Sequence, residues 1–167
     1  MTNKKVYVFN ITLNLENSPV MHSGKINQNI LKKGEAPWRE IAILENDNLY
    51  NFAKVIINSF GFMFDHCFGF YSNLEERKMY DSKEIYELFT DLKDEEHTPK
   101  AKGVKKEKIS EAFKEKGKKM LFYFDYGDSW NFFVELKDIK ETDIKKSYPI
   151  LLSRHGKKPE QYPSFEE

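Results

Sequence analysis

Hydrophobic and polar residues alternate along KVYVFNITLNL, so that Tyr7, Phe9, Ile11, Leu13 and Leu15 fall on one side of an extended chain, opposite Val6, Val8, Asn10, Thr12 and Asn14. A period of two predicts a strand with one face in a core. The stretch over residues 16–37 is rich in Asn, Gly, Pro and Lys and holds no period, which predicts a long loop or lid before a second strand, WREIAIL. The period then changes. Leu49, Phe52, Val55, Ile56 and Phe60 recur at helical spacing; Asp47 or Asn48 can cap the start, and Gly61 stands where a left-handed terminal residue is usual. FMFDHCFGFYS predicts a buried strand entered through a turn around Asp65 and His66.

In the second half, Asp81 and Glu84 resemble a capping box, and Ile85, Leu88, Phe89 and Leu92 make the apolar stripe of a second helix. Residues 99–119 are lysine-rich, with Ile109, Ala112 and Phe113 to bury, which predicts a flexible linker and an amphipathic helix over about 106–116. MLFYFDY and SWNFFVELKDI predict a hairpin whose tight turn uses Gly127 for an unusual backbone angle. The proline-containing C-terminal stretch, including residues 153–167, predicts an extended tail over the domain or a frayed end.

Helices are too few and too clustered for a doubly wound parallel sheet. The expected fold class is α+β: one mixed or largely antiparallel sheet with helices on one face, starting as a β-grasp-like unit and ending in a β-hairpin. A chain of 167 residues with 40% hydrophobic content predicts a single globular domain, 1–167. Lys plus Arg equals Asp plus Glu at 27 each, so no global field draws the protein to nucleic acid or an anionic membrane, and such binding would need a local patch. Cys67 is the single cysteine, which excludes an internal disulfide and a multi-cysteine zinc site and fits a reducing cytoplasm. No apolar run is long enough to span a bilayer.

Four blocks, PWREIAI, FGFMFDHCFGFYS, FYFDYGDSWNFFVEL and GKKPEQYP, together resemble the plasmid pRiA open-reading-frame-three family, some members of which are labelled TnpR-type passenger proteins of insertion elements. The resemblance covers most of the chain. It implies an association with mobile genetic elements and no established activity, and no recombinase serine or tyrosine motif accompanies the label.

Candidate chemistry centres on His66, Asp125 and Asp128. The two acids flank Gly127, where paired carboxylates can bind a cation or act as acid and base; equally, Asp128 can bond the turn backbone while Asp125 caps the strand pairing. Asp65 and His66 are neighbours, so in an extended chain they point to opposite faces, and a partner for His66 would come from the 125–128 turn. A histidine among aromatics also serves to satisfy core backbone groups. Trp38 and Arg39, if exposed, can stack on or fork onto a base or phosphate; otherwise Trp38 belongs in the core and Arg39 pairs with an acid. Trp130, when buried, needs a partner for its N–H, which a turn carboxylate can supply.

His22, His66, His97 and His155 are scattered, which leaves open only an oxygen-rich magnesium or calcium site. Neither a nucleophile elbow nor a glycine-rich phosphate loop occurs, so no cofactor is implied. The leading expectation is a non-catalytic interaction module for a protein or nucleic-acid partner, using the Asp65-His66 turn, the hairpin turn and the proline-rich tail. In the nucleic-acid version, Lys105, Lys106, Lys118 and Lys119 contact phosphates, although the balanced charge argues against it. The alternative is a hydrolase-like enzyme in which Asp125 or Asp128 orients His66, with a magnesium-type ion held by carboxylates.

Overall fold

The structure, a computed structural model, describes residues 4–15 and 36–162. The expected loop over 16–37 therefore lies almost wholly outside the described residues. Among those described, seven strands form one antiparallel sheet: β1 (Lys5–Leu13), β2 (Trp38–Leu44), β3 (Phe68–Tyr71), β4 (Ile85–Glu87), β5 (Lys119–Phe124), β6 (Trp130–Glu141) and β7 (Ile150–His155). Their order across the sheet is β4-β3-β5-β6-β1-β2-β7.

Strand alternation divides the side chains between two faces. Tyr7, Phe9, Ile11 and Leu13 of β1 join Phe68, Phe70, Phe122, Phe124, Trp130, Phe132, Val134 and Leu136 in the main core. Helix α1 (Leu49–Ser59) lies over that face and buries Leu49, Phe52, Ala53, Ile56 and Ile57. Each Leu, Ile or Phe buried in this way contributes about 1.5–3 kcal/mol relative to exposure. The Asn48 side chain accepts from the Asn51 amide at 2.8 Å and so satisfies one free donor of the first turn. Gly61, at φ +72°, turns the chain out of the helix, where a Cβ would be strained. A smaller cluster of Tyr71, Met79, Ile85, Ala101, Leu121 and Tyr123 occupies the opposite face. The α+β class, the largely antiparallel sheet and the β5–β6 hairpin agree with the sequence pattern.

Several expectations fail for identifiable reasons. The second helix is instead strand β4 between two 3-10 turns, Glu76–Asp81 and Leu88–Asp91. Ile85 enters the smaller cluster while Tyr86 enters the main core, which is the alternation of a strand. The lysine-rich helix shrinks to α2 (Ile109–Ala112). Tertiary bonds have claimed its flanking backbone: Ile109 N–H donates to Asp47 O at 2.8 Å, Ser110 N–H to Glu45 O at 3.0 Å, and Leu49 N–H to Glu107 O at 3.0 Å. Part of the expected tail is an edge strand, β7, which pairs with β2.

Arg39 ties these parts together. It is 3% exposed; its Nε donates to Ser59 O at the end of α1 at 2.8 Å, and Nη1 donates to Trp38 O at 2.8 Å and His155 O at 3.0 Å. Its guanidinium carbon also lies 4.6 Å from the centre of the Phe60 ring. Lysine cannot reproduce this planar fork. Urea unfolding of Arg39→Ala is therefore expected to show a loss of about 2–4 kcal/mol, with Arg39→Lys recovering less than half of it.

Candidate functional site

The segment after α1 alternates its anchors. Phe62 stacks edge-on against Trp130 at 4.7 Å, and Phe64 meets Phe68 at 5.3 Å and Tyr50 at 5.4 Å. With both phenylalanines held inward, Met63 is left 65% exposed and Asp65 stands at the surface. The chain bends here instead of running extended, so Asp65 and His66 meet: His66 Nδ1 lies 2.7 Å from Asp65 Oδ1. This reverses the opposite-face expectation. The ring of His66 also sits edge-on to Phe124, with centroids 6.1 Å apart.

The hairpin turn arrives beside it because Asp125 N–H donates to Cys67 O at 2.9 Å. The turn-bonding role expected of Asp128 falls to Asp125. Asp125, 4% exposed and at φ +64°, accepts from the amides of Gly127 and Asp128, both at 3.1 Å, through Oδ1. An Asx-type turn supplies the local compensation for that backbone angle. Gly127 is not in the left-handed region; Ser129, at φ +63°, is. The other oxygen, Asp125 Oδ2, lies 3.5 Å from His66 Nδ1. Asp128 is exposed, and its carboxyl is pushed up by desolvation and by the charge of Asp125, against the opposing effect of His66.

A third segment completes the group, from residues that the sequence reading passed over. The Gln161 amide clasps the backbone of Met63, accepting from its N–H at 2.7 Å and donating to its C=O at 3.0 Å. Tyr162 O–H donates to Asp65 Oδ2 at 2.7 Å and lies 3.1 Å from His66 Nδ1. Burial acts to raise the Asp65 carboxyl, but the bonds from Tyr162 and His66 outweigh it and hold the group below its ordinary value. An ionised Asp65 can only accept, so Nδ1 of His66 carries a proton and Nε2 is the nitrogen left for other contacts. In the sequence, Gln161 and Tyr162 stand in the block GKKPEQYP, which carries part of the family resemblance and lies in the proline-rich tail expected at the interaction surface.

The remaining candidates lie elsewhere. Arg39 is buried and bonded to main-chain carbonyls, and among the described residues it pairs with no acid. Trp38 stacks on His155 with centroids 5.5 Å apart. Trp130 is fully buried, and its Nε1 has no hydrogen-bond partner among the described residues, so the expected turn carboxylate does not serve it. Burial pushes the Cys67 thiol up, with Glu95 adding to the effect, away from the reactive thiolate. Several lysines of the 99–119 stretch face acids: Lys116 meets Asp138 at 2.8 Å, Lys119 meets Glu135 at 3.8 Å, and Lys118 pairs with Glu84. Among the described residues, no group of three or more His, Cys, Asp or Glu side chains is arranged to hold a metal ion, and no helix is long and apolar enough to cross a membrane.

Two outcomes test this geometry. Asp125→Ala removes the turn acceptor and leaves a β-carbon at a left-handed position, with an expected loss of about 2 kcal/mol in chemical unfolding; Asp125→Asn stays within about 0.5 kcal/mol, and Gly127→Ala costs nothing measurable. Because the Asp65 carboxyl is held low, its contribution is complete above the ordinary value of 3.8 and is lost as pH falls below it. Hydrogen exchange at the Met63 amide is therefore expected to accelerate in Gln161→Ala, and to show a loosened tail in the unaltered protein as the medium is acidified through that range.

The comparisons with known proteins agree on family and fold. No curated protein matches the chain. The crystal structure of a protein of unknown function from Methanosarcina mazei Go1 superposes with a TM-score of 0.65 at 20% identity, covering 92% of this chain and 71% of that one, a likeness that shows the fold alone. The sequence pattern of the family described as plasmid pRiA4b ORF-3-like protein matches residues 25–162, which includes the segments that form the His66 cluster. The chain belongs to the plasmid pRiA4b ORF-3-like family.

Proposed function

We propose that the protein is a non-catalytic interaction module that binds a protein partner at the surface around His66. One observation carries the reading: three segments far apart in sequence, 63–66, 125–128 and 161–162, are bonded into one patch. The patch presents Met63 at 65% exposure and Tyr162 at 49% beside a histidine held by carboxylates. Exposed methionine and tyrosine ringed by polar groups are characteristic of protein-binding surfaces. The Asp65 and Asp128 carboxylates would repel phosphates here, which favours a protein over a nucleic acid. The family description refers to a plasmid reading frame, which supports an association with mobile genetic elements.

A second reading draws on the His66 geometry. With Nδ1 directed at Asp65 and Asp125, the imidazole is oriented as a general base would be, which is the hydrolase-like alternative. The two readings separate in one experiment. Selection of displayed peptides on the immobilised protein is expected to enrich sequences whose binding falls about ten-fold in Met63→Ser and in His66→Ala. No enrichment, combined with hydrolysis of a generic ester panel that disappears in His66→Ala, would replace the binding reading with the enzymatic one.

A further inference from the structure

On the sheet face opposite α1, a cavity of about 910 Å³ lies between the strands and the 3-10 turn Glu76–Asp81. Its volume lies within the range of small-molecule sites, roughly 300–1,000 Å³. Tyr80, Tyr123, Tyr126 and Phe133 supply rings to its lining, Glu75 and Glu76 supply carboxylates, and Arg77 supplies one guanidinium. The two acids differ. Glu75 is neutralised by Arg77 at 2.9 Å and Lys78 at 3.9 Å. Glu76 is half-buried and receives only neutral donors among its described bonds, Tyr123 O–H at 3.0 Å on Oε1 and Asn131 Nδ2 at 3.5 Å on Oε2.

The rings are held in place from behind. Tyr71 donates its one proton to Glu87 at 2.5 Å, so at the 2.7 Å contact between the two tyrosine hydroxyls Tyr126 is the donor. Glu87 is in turn fixed by the Thr98 amide and hydroxyl, both at 2.8 Å. Gly69 is required beneath them: a β-carbon there would approach the Tyr71 hydroxyl to 2.8 Å and the Tyr126 hydroxyl to 2.9 Å. Tyr123 and Tyr126 consequently stand 5.0 Å apart at 47°. Tyr80, 54% exposed, forms an outer wall.

Ring faces carry negative potential, and Glu76 adds a carboxylate that Lys78 and Arg77 do not neutralise. An anion is repelled from such a cavity, a neutral apolar molecule leaves the charge unanswered, and an organic cation satisfies both features. We propose that the cavity binds a small organic cation, an ammonium or guanidinium group on an apolar body, with Glu76 as its counter-ion and Tyr80, Tyr123 and Tyr126 as its aromatic walls. The cavity shares the 125–129 turn with the His66 patch through Tyr126, but none of Asp65, His66, Asp125 or Asp128 lines it.

The test uses the full chain with choline and agmatine as probes and 3,3-dimethyl-1-butanol as the uncharged counterpart of choline, followed by NMR of the tyrosine rings and by calorimetry. At least one cation is expected to shift the Tyr123 and Tyr126 ring signals at millimolar concentration, with the uncharged alcohol inert. Glu76→Gln is expected to weaken binding about ten-fold, and Tyr80→Ala severalfold, with Tm measured for both variants. Because Tyr80 is exposed, the second variant remains informative if the first is unstable. Equal binding of the alcohol, unchanged binding in Glu76→Gln, or silence of the tyrosine rings with both cations overturns the proposal. Binding of a trimethyllysine peptide with neither free cation bound overturns the small-molecule source.

Discussion

Register between β1 and β6 governs the arrangement of the molecule. β6 pairs with β1 through Ile11↔Val134 and Leu13↔Phe132, and with β5 through Phe122↔Phe132 and Phe124↔Trp130. A slip of one residue would bring Asn131, Phe133 and Glu135 into the main core in place of Trp130, Phe132, Val134 and Leu136. The same alternation serves two ends. One face is sealed by α1, while the other keeps Tyr123 and Phe133 for the cavity beside Glu76. The register shifts along this long pairing between Val8 and Phe9, away from the turn end of β6.

That register fixes where the 125–129 turn projects, and the turn connects the two sites. Asp125 organises its backbone through Oδ1 and faces His66 through Oδ2, while Ser129 lies 2.6 Å from the Tyr123 hydroxyl that bonds Glu76. A carboxylate with two oxygens can meet both demands, and an αL backbone at Asp125 brings them into range. The patch also needs the far C-terminus. Gln161 copies a strand's pairing with Met63 through its side-chain amide, bringing Tyr162 to Asp65 without extending the sheet.

Long, clean periods were legible: β1, α1 with its Asn48 cap and Gly61 stop, and the aromatic hairpin all follow from spacing and local chemistry. Short elements were not. Ile85, Leu88, Phe89 and Leu92 fit a helical stripe, yet the pairing of β4 with β3 places Ile85 and Tyr86 on opposite faces. Three to four residues carry too little periodicity to separate strand from helix, and the neighbouring strand decides. The lysine-rich stretch yielded its helix to backbone bonds with Asp47 and Glu45 for the same reason.

For the site, the sequence alone singled out His66, Asp65, Asp125 and Asp128 as candidates, and the fold brings His66 to both Asp65 and Asp125. The sequence also set the α+β class, since burial follows from hydrophobic period. Which carboxylate meets the imidazole, whether Arg39 faces solvent, and that Gln161 and Tyr162 belong to the patch were decided by tertiary structure. Most of these contacts join segments distant along the chain, His66 with Asp125, Tyr162 with Asp65 and Arg39 with His155. Such contacts are set by strand order and register, which local residue patterns do not encode.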